Sequence, residues 1–313
     1  MPELPEVETI RRGLAKFILN KKIVQIRIAS TSSKSFLLPD DLNQKNVIPL
    51  AHVRDIHFFD SNLEKVQSDK RNDLLVTGLR RFGKALIVDL SNGYSLMIHL
   101  RMTGQLIWRG EENFAAGHPS ENFVAELPNK QTRVIFEFED GTLYFNDQRK
   151  FGFVKVIETK KVLEDEFIKK LAKEPWDMEA GELYEKLQRH KNAPIKAAIL
   201  DQTIICGLGN IYADESLFYA GIHPETRVGN LSLEDASRLL EGARTVMQES
   251  IDSGGSTMAT YVRADGTRGD YLEKFAKVFR REGLPCLKCG EKIVKIRVAG
   301  RGTHICPKCQ EKK

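Results

Sequence analysis

Within the first twenty positions, apolar residues recur at three- and four-residue spacing, which puts Val7, Ile10, Leu14 and Phe17 on one side of a helix. Pro5 suits a first helical turn, and Glu6 and Glu8 suit its positive end, so residues 1–20 are predicted to form one helix. The pattern then shifts to strands. Residues 84–90, Lys-Ala-Leu-Ile-Val-Asp-Leu, lead through Asn92-Gly93 into residues 95–100, Ser-Leu-Met-Ile-His-Leu, which reads as a hairpin. Residues 133–139 and 142–145, separated by Asp140-Gly141, repeat it. Residues 109–130 are polar and rich in Glu, Asn, Gly and Pro, and are predicted to be a long surface loop.

From Lys161 onward the period becomes helical, with candidate helices near 161–172, 179–190, 194–202, 211–219 and 232–252. The last has Ser232 with Asp235 as a start signal and Gly254-Gly255 as a stop. Strands first and helices afterwards predict an N-terminal β domain, a helical domain and a small cysteine-bearing module. At 313 residues the chain has room for about two domains. No apolar run approaches the roughly 18–20 residues needed to span a bilayer, and the acidic N-terminus is unlike a signal peptide. No membrane partner is expected, and the cytoplasm is the expected location.

Charge changes the picture through its distribution. The formal net charge is +5, yet residues 284–313 alone carry eight Lys or Arg against two Glu, so the other 283 residues sum to −1. Four zinc-bound thiolates would reduce the tail's surplus to about +4. A basic tip on a near-neutral body points to a phosphate-bearing partner.

In that tail, Cys286 and Cys289 form one Cys-x2-Cys knuckle and Cys306 and Cys309 another, sixteen residues apart. The spacing presents four thiolates to one tetrahedral zinc and leaves no open position, so the ion is structural. The intervening hairpin has Ile293, Val294, Ile296 and Val298 as strand residues and Gly300-Arg301-Gly302 as its tip. An arginine on a narrow loop can reach a groove and its phosphates. Cys206 lies in an apolar stretch and is expected to be buried.

Two nucleotide signatures fail. Residues 78–85 nearly match a phosphate-binding loop, but Ala85 stands where the magnesium-binding hydroxyl belongs, and a strand follows. Gly207-Leu-Gly209-Asn-Ile-Tyr212 starts like a dinucleotide fingerprint but has Tyr212 at the third small position. No nucleotide cofactor is expected. A Gly-Leu-Gly-Asn turn opening a helix is instead a place where backbone N–H groups and Asn210 can hold a phosphate.

Several segments together resemble the formamidopyrimidine-DNA glycosylase family: Met1-Pro-Glu-Leu-Pro-Glu-Val-Glu, Lys84 after Arg-Arg-Phe-Gly, His99-Leu-Arg-Met-Thr-Gly, Asp147-Gln-Arg-Lys-Phe-Gly, Asp201-Gln, Gly207-Leu-Gly-Asn-Ile-Tyr-Ala-Asp-Glu, and the four cysteines with Arg301. The likeness spans nearly the whole chain, apart from residues 109–130 and some before Lys84. It implies an α+β multidomain fold. A β-sandwich domain with a leading helix would occupy 1–160, a linker 161–178, a helix-two-turns-helix domain 179–284 and a four-cysteine zinc β-hairpin 285–313.

The resemblance also implies a function. The protein would remove oxidised purines, 8-oxoguanine and formamidopyrimidines, from double-stranded DNA and nick the abasic site by β,δ-elimination, as a monomeric bifunctional glycosylase and lyase. Pro2, freed by removal of Met1, would be the amine nucleophile, Glu3 the general acid and Glu6 a supporting carboxylate. Lys84 and Arg301 would assist the eliminations. Met102 and Phe151 would fill the space of an extruded base, with Arg149 facing the orphaned cytosine. His99, Lys191, Lys196 and Asn210 would grip phosphates, as would Gln131, which stands where the family often has histidine and so cannot bring a charge. A base-recognition loop is implied between Gly254 and Tyr271. Purine preference is suggested by Leu4, where the sister group specific for oxidised pyrimidines typically has glycine. A DNA-binding protein without catalysis would usually lack one of Pro2, Glu3 or Lys84.

Overall fold

The computed structural model describes residues 2–29, 74–118, 125–255 and 271–312. These form two compact units. The first comprises Pro2 and residues 6–29, 74–118 and 125–165, and the second comprises Glu3–Pro5 and residues 166–255 and 271–312. Met1 and most of the expected base-recognition loop lie outside the described residues.

Helix α1 runs from Leu4 to Ile18, and its stripe of Val7, Ile10, Leu14 and Ile18 is buried in the first unit's core. The strands are β1 (Lys22–Ile28), β2 (Leu74–Phe82), β3 (Ala85–Leu90), β4 (Tyr94–His99), β5 (Gly104–Gly110), β6 (Phe114–Gly117), β7 (Thr132–Phe138), β8 (Gly141–Asp147) and β9 (Phe153–Glu158). Their order is β6-β5-β8-β7-β1-β2-β3-β4-β9. The halves β6-β5-β8-β7-β1 and β2-β3-β4-β9 join through only two residue pairs, Lys22↔Leu75 and Ile23↔Leu74. Both halves send residues into one core, Val76, Leu86, Val88 and Ile98 from one and Leu106, Trp108, Phe136 and Phe145 from the other. This is the packing of a sandwich.

Both predicted hairpins form, β3 with β4 and β7 with β8, and Gly93 adopts the left-handed backbone of a tight turn at φ 83°. The predicted loop 109–130 is in part a strand. β6 pairs with β5, with Trp108 opposite Phe114, and buries Phe114 and Ala116. A four-residue strand with Gly at its end carries too little alternation to stand out from a polar neighbourhood.

The second unit holds α2 (Glu166–Lys169), α3 (Ala180–Gln188), α4 (Ile195–Ile199), α5 (Asn210–Ala220), α6 (Leu233–Asp252) and α7 (Tyr271–Lys274). The start signal of α6 is a capping box: Ser232 accepts from the Asp235 N–H at 3.1 Å and Asp235 accepts from the Ser232 N–H at 3.0 Å. The predicted helix near 161–172 is broken into a 3-10 stretch, Thr159–Glu164, and the single turn of α2. Strands β10 (Val294–Val298) and β11 (Arg301–Ile305) form the terminal hairpin. Its two-residue turn is Ala299-Gly300, with φ 47° and 77°, so Arg301 is the first residue of β11 rather than the middle of the tip. Among the described residues, no helix is long and apolar enough to cross a membrane.

One ionic cluster ties α1 to the sheet of the first unit. Glu8 accepts from Arg11 at 2.7 and 2.9 Å, from Arg12 at 2.8 Å and from Arg81 at 3.2 Å. Burial pushes its carboxyl up, but hydrogen bonds from Arg11 and Arg12 and the charges of Arg11 and Arg81 outweigh that and hold it down at about 2. A carboxyl depressed from 4.5 contributes stability that is complete above about pH 4.5 and is lost as the pH falls toward 2. Glu8→Gln is therefore expected to lower the stability of this unit by about 1–3 kcal/mol at pH 7 and by much less near pH 2.5. Urea unfolding followed through Trp108, in a Trp176→Phe background, measures both.

Candidate active site and metal centre

In the second unit, the loop 207–209 and the start of α5 form a cradle for the Glu3 side chain. Glu3 is buried, and its carboxylate accepts from the N–H groups of Gly209 at 2.7 Å, Ile211 at 3.0 Å and Tyr212 at 3.4 Å. These are orphan donors of a helix start, where a negative charge is also favoured by the helix dipole. A Cβ on residue 209 would lie 2.3 Å from the Glu3 carboxyl carbon, so only glycine admits it. At Gly207, φ is +98° and a Cβ would meet Leu4 at 2.4 Å, while the Gly207 carbonyl accepts from the Leu4 N–H at 3.2 Å. The Gly-Leu-Gly-Asn turn thus binds the protein's own third residue.

Farther along α5, Asp214 and Glu215 are both buried in an apolar helix. Asp214 forms an ion pair with Lys196 at 2.6 Å and accepts from the His304 N–H at 2.9 Å. The Lys196 ammonium also donates to the Thr303 hydroxyl at 2.6 Å and the Gly302 carbonyl at 3.2 Å. Burial pulls the Lys196 pKa down, and the charge and hydrogen bond of Asp214 oppose the fall. Lys196 is 0% exposed with three acceptors for its three hydrogens, so this residue, expected on a phosphate, clasps the zinc hairpin instead. Its place in a short helix of apolar neighbours, Ile195 and Ile199, was the available signal. Asn210 contributes to the same clasp by donating to the Gly302 carbonyl at 3.0 Å, which leaves one amide hydrogen for another acceptor. Glu215 accepts from the N–H groups of Lys277, Val278 and Phe279 at 2.8–3.0 Å and anchors the segment that leads into the hairpin. Lys191 and Arg301 are exposed.

The four cysteine sulfurs lie within 4.8 Å of one another, with Cys286 and Cys309 at 3.9 Å and Cys289 and Cys306 at 3.4 Å. Zinc–sulfur bonds of about 2.3 Å in a tetrahedron put sulfurs about 3.8 Å apart, so the set fits one zinc. Ile293, Val278 and the sulfurs make a core of their own.

In the first unit, Pro2 and Glu6 are buried at the start of the chain. Lys84 follows Gly83 in the two-residue turn between β2 and β3, where Gly83 has φ 54° and its carbonyl accepts from Arg81 at 3.1 Å. His99 ends β4 and is paired in register with Ala85 and Phe153. Its Nδ1 accepts from the Arg101 N–H at 3.0 Å, which leaves Nε2 as the N–H of the neutral ring. Burial, then the charges of Arg101 and Lys84, press its pKa down to about 3. His99 can therefore donate a hydrogen bond but brings no charge at neutral pH.

Met102 and Phe151 are 42% and 53% exposed, and Arg149 joins them. Its guanidinium donates to the Met102 sulfur at 3.3 Å and lies 4.8 Å from the Phe151 ring centre. Gln131 is half-buried, and its main-chain carbonyl accepts from the Asp147 N–H at 2.8 Å.

Residues 1–154 match the family described as "Formamidopyrimidine-DNA glycosylase N-terminal domain" and residues 171–262 its H2TH domain; residues 283–312 match the zinc finger found in FPG and IleRS. The chain belongs to the formamidopyrimidine-DNA glycosylase family. The formamidopyrimidine-DNA glycosylase of Desulfitobacterium hafniense is 36% identical over 312 residues, covering 99% of this chain and 100% of its own. A Lactococcus lactis variant of the enzyme, solved in complex with Fapy-dG-containing DNA, superposes with a TM-score of 0.78 at 32% identity, over 99% of this chain and 100% of that one. The Lactococcus enzyme bound non-covalently to DNA with an abasic site gives a TM-score of 0.76 at 31% identity, with the same coverage. With the zinc finger of this family and four converging sulfurs, the protein holds one structural zinc through Cys286, Cys289, Cys306 and Cys309.

Elemental analysis is expected to give one zinc per chain, lost in Cys306→Ser together with the ordered hairpin. In nitrogen-detected NMR, the His99 ring should remain neutral at pH 5, well above its value of about 3. A ring titrating near 6.5 would contradict its burial.

Proposed function

We propose that the protein is a bifunctional DNA glycosylase and abasic-site lyase that removes oxidised purines from double-stranded DNA. The observation that carries this reading is the start of the chain. Pro2 supplies a terminal amine once Met1 is removed, and its neighbour Glu3 is a carboxylate gripped by three peptide N–H groups. A terminal amine titrates near 7.7–8, so part of it is unprotonated at neutral pH. Its lone pair attacks the sugar C1′ and the bond from C1′ to the damaged base breaks. Glu3, having taken up a proton, returns it to the ring oxygen as the sugar opens, leaving an iminium on Pro2. The iminium acidifies C2′, and loss of that proton expels the 3′ phosphate; the conjugated iminium then acidifies C4′, and loss of its proton expels the 5′ phosphate. Water releases Pro2.

Glu6 supports the amine. Lys84, in the turn between β2 and β3, and Arg301, the first residue after the turn of the terminal hairpin, would assist proton transfer at the eliminating phosphates. His99 and Asn210 offer neutral N–H donors, and Lys191 and Arg301 offer charge, to the strand around the lesion. Gln131 stands in for a histidine as a neutral contact. Met102, Arg149 and Phe151 occupy the space of the extruded base. The zinc holds the hairpin that carries Arg301 and takes no part in the chemistry. The protein is proposed to act as a monomer, in the cytoplasm, without a nucleotide cofactor.

The test is borohydride trapping of the tag-free protein on a duplex with one 8-oxoguanine opposite cytosine. A covalent adduct is expected for the wild type and its loss for Pro2→Gly, with DNA binding retained. No adduct and no strand cleavage from the wild type would leave a zinc-anchored DNA binder in place of an enzyme.

A further inference from the structure

Met102, Arg149 and Phe151 sit on two separate loops, 100–103 between β4 and β5 and 148–152 between β8 and β9. Each loop has a non-glycine residue in the left-handed region directly beside a base-filling side chain: Arg101 at φ 49° before Met102, and Lys150 at φ 60° between Arg149 and Phe151. Such residues persist only where their surroundings over-determine them. Opening a base stack costs a few kcal/mol, so a wedge on a yielding loop would retreat before the duplex opened.

The surroundings converge on Asp147, which is 0% exposed. Its Oδ2 accepts from the Gly152 N–H at 2.7 Å, which closes loop 148–152 on itself. Its Oδ1 accepts from the Arg149 N–H at 3.2 Å and from the Thr103 hydroxyl. That hydroxyl in turn accepts from the Arg149 N–H at 3.0 Å, so a single oxygen of Thr103 bridges the two loops. The Asp147 main chain is fixed as well, with its carbonyl accepting from the Arg133 Nε at 2.9 Å. At Gly152 a Cβ would lie 2.8 Å from the Phe145 ring and 2.9 Å from the His99 carbonyl, so the closed loop is pressed against the sheet.

We infer that Asp147, acting through Thr103, is a positioning residue for base extrusion: a buried latch that fixes both loops so that Met102, Arg149 and Phe151 enter the duplex as one body. The inference rests on the base-filling role proposed above. It predicts a defect confined to substrates whose base must leave the stack. A lesion paired with cytosine requires extrusion, whereas a preformed abasic site has no base to unstack.

Single-turnover excision of 8-oxoguanine opposite cytosine and nicking of a preformed abasic site would be compared in the full-length, tag-free protein and its Asp147→Asn, Thr103→Val and Thr103→Ser variants. Excision is expected to fall by about tenfold or more in Asp147→Asn and Thr103→Val, with abasic-site nicking changed by less than about threefold. Thr103→Ser restores the hydroxyl and is expected to excise like the wild type. Should Asp147→Asn fail to fold, the Thr103 pair decides alone. Excision at the wild-type rate in Thr103→Val overturns the inference, as does an equal loss on both substrates with a lowered melting temperature, which would mark a purely structural role. A wild type inactive on both substrates would remove the proposed function and the latch with it; an active wild type with unaffected variants removes the latch alone.

Discussion

The grip of three peptide N–H groups on the Glu3 carboxylate holds the third residue at the open end of α5. A carboxylate withdrawn from water is tolerable only when hydrogen bonds replace its hydration, and the open end of α5 provides them in a geometry no flexible loop could hold. Two glycines make that approach possible, Gly209 because any Cβ would strike the carboxyl group and Gly207 because the chain must turn through a left-handed conformation against Leu4. The terminal residues of most domains fray. Here Glu3 and Leu4 are both buried, at 3% and 0% exposure.

The same device recurs wherever the fold needs a loop held to a fixed path. Glu215 receives three consecutive N–H groups of residues 277–279, Asp147 receives those of Arg149 and Gly152, and Asp214 receives that of His304. Each is a buried carboxylate that takes backbone donors, so it specifies a chain path rather than only a choice of side chain. A satisfied network of this kind is unforgiving, because loss of one partner strands a polar group out of water at about 1–3 kcal/mol. Positions near such carboxylates should therefore resist even conservative replacement.

Local pattern carried the elements whose cause is local. The stripe of α1, the two hairpins with their Asn-Gly and Asp-Gly turns, the Ser232–Asp235 box and the cysteine spacing all depend on neighbours a few residues apart. Three features have other causes. β6 exists because β5 offers it an edge, with Phe114 set opposite Trp108, and nothing within four residues announces that. The hairpin turn lies at Ala299-Gly300 because the register places Val298 opposite Arg301; a shift of this size reverses which residues face the core, and composition does not fix it. Lys196 is charged and so reads as a surface residue, but its acceptors in the hairpin come from more than a hundred residues away. For the site, the resemblance supplied the roles, whereas the structure supplied the supports beneath them: Asp147, Thr103, Glu8 and Asp214 all lie inside the matched segments, but a motif assigns them no role because none of them is expected to touch DNA.

Arg301 shows how much support one exposed side chain can require. A thirty-residue ribbon buries too little apolar surface to fold alone, so the metal must supply the difference. Zinc fixes the two knuckles, yet a hairpin held only at its cysteines could still swing at its far end. The Lys196 ammonium reaches Gly302 and Thr303, immediately after Arg301, and Asn210 takes a second hold on the Gly302 carbonyl. A buried lysine tolerates this only because Asp214 neutralises it, and Asp214 in turn is bound to the His304 N–H on the same strand. The clasp and the metal are separate constraints on one short ribbon, and both act through β11. That is the arrangement to be expected if the residue at the start of that strand must meet a phosphate at a fixed position rather than merely lend its charge to a basic surface.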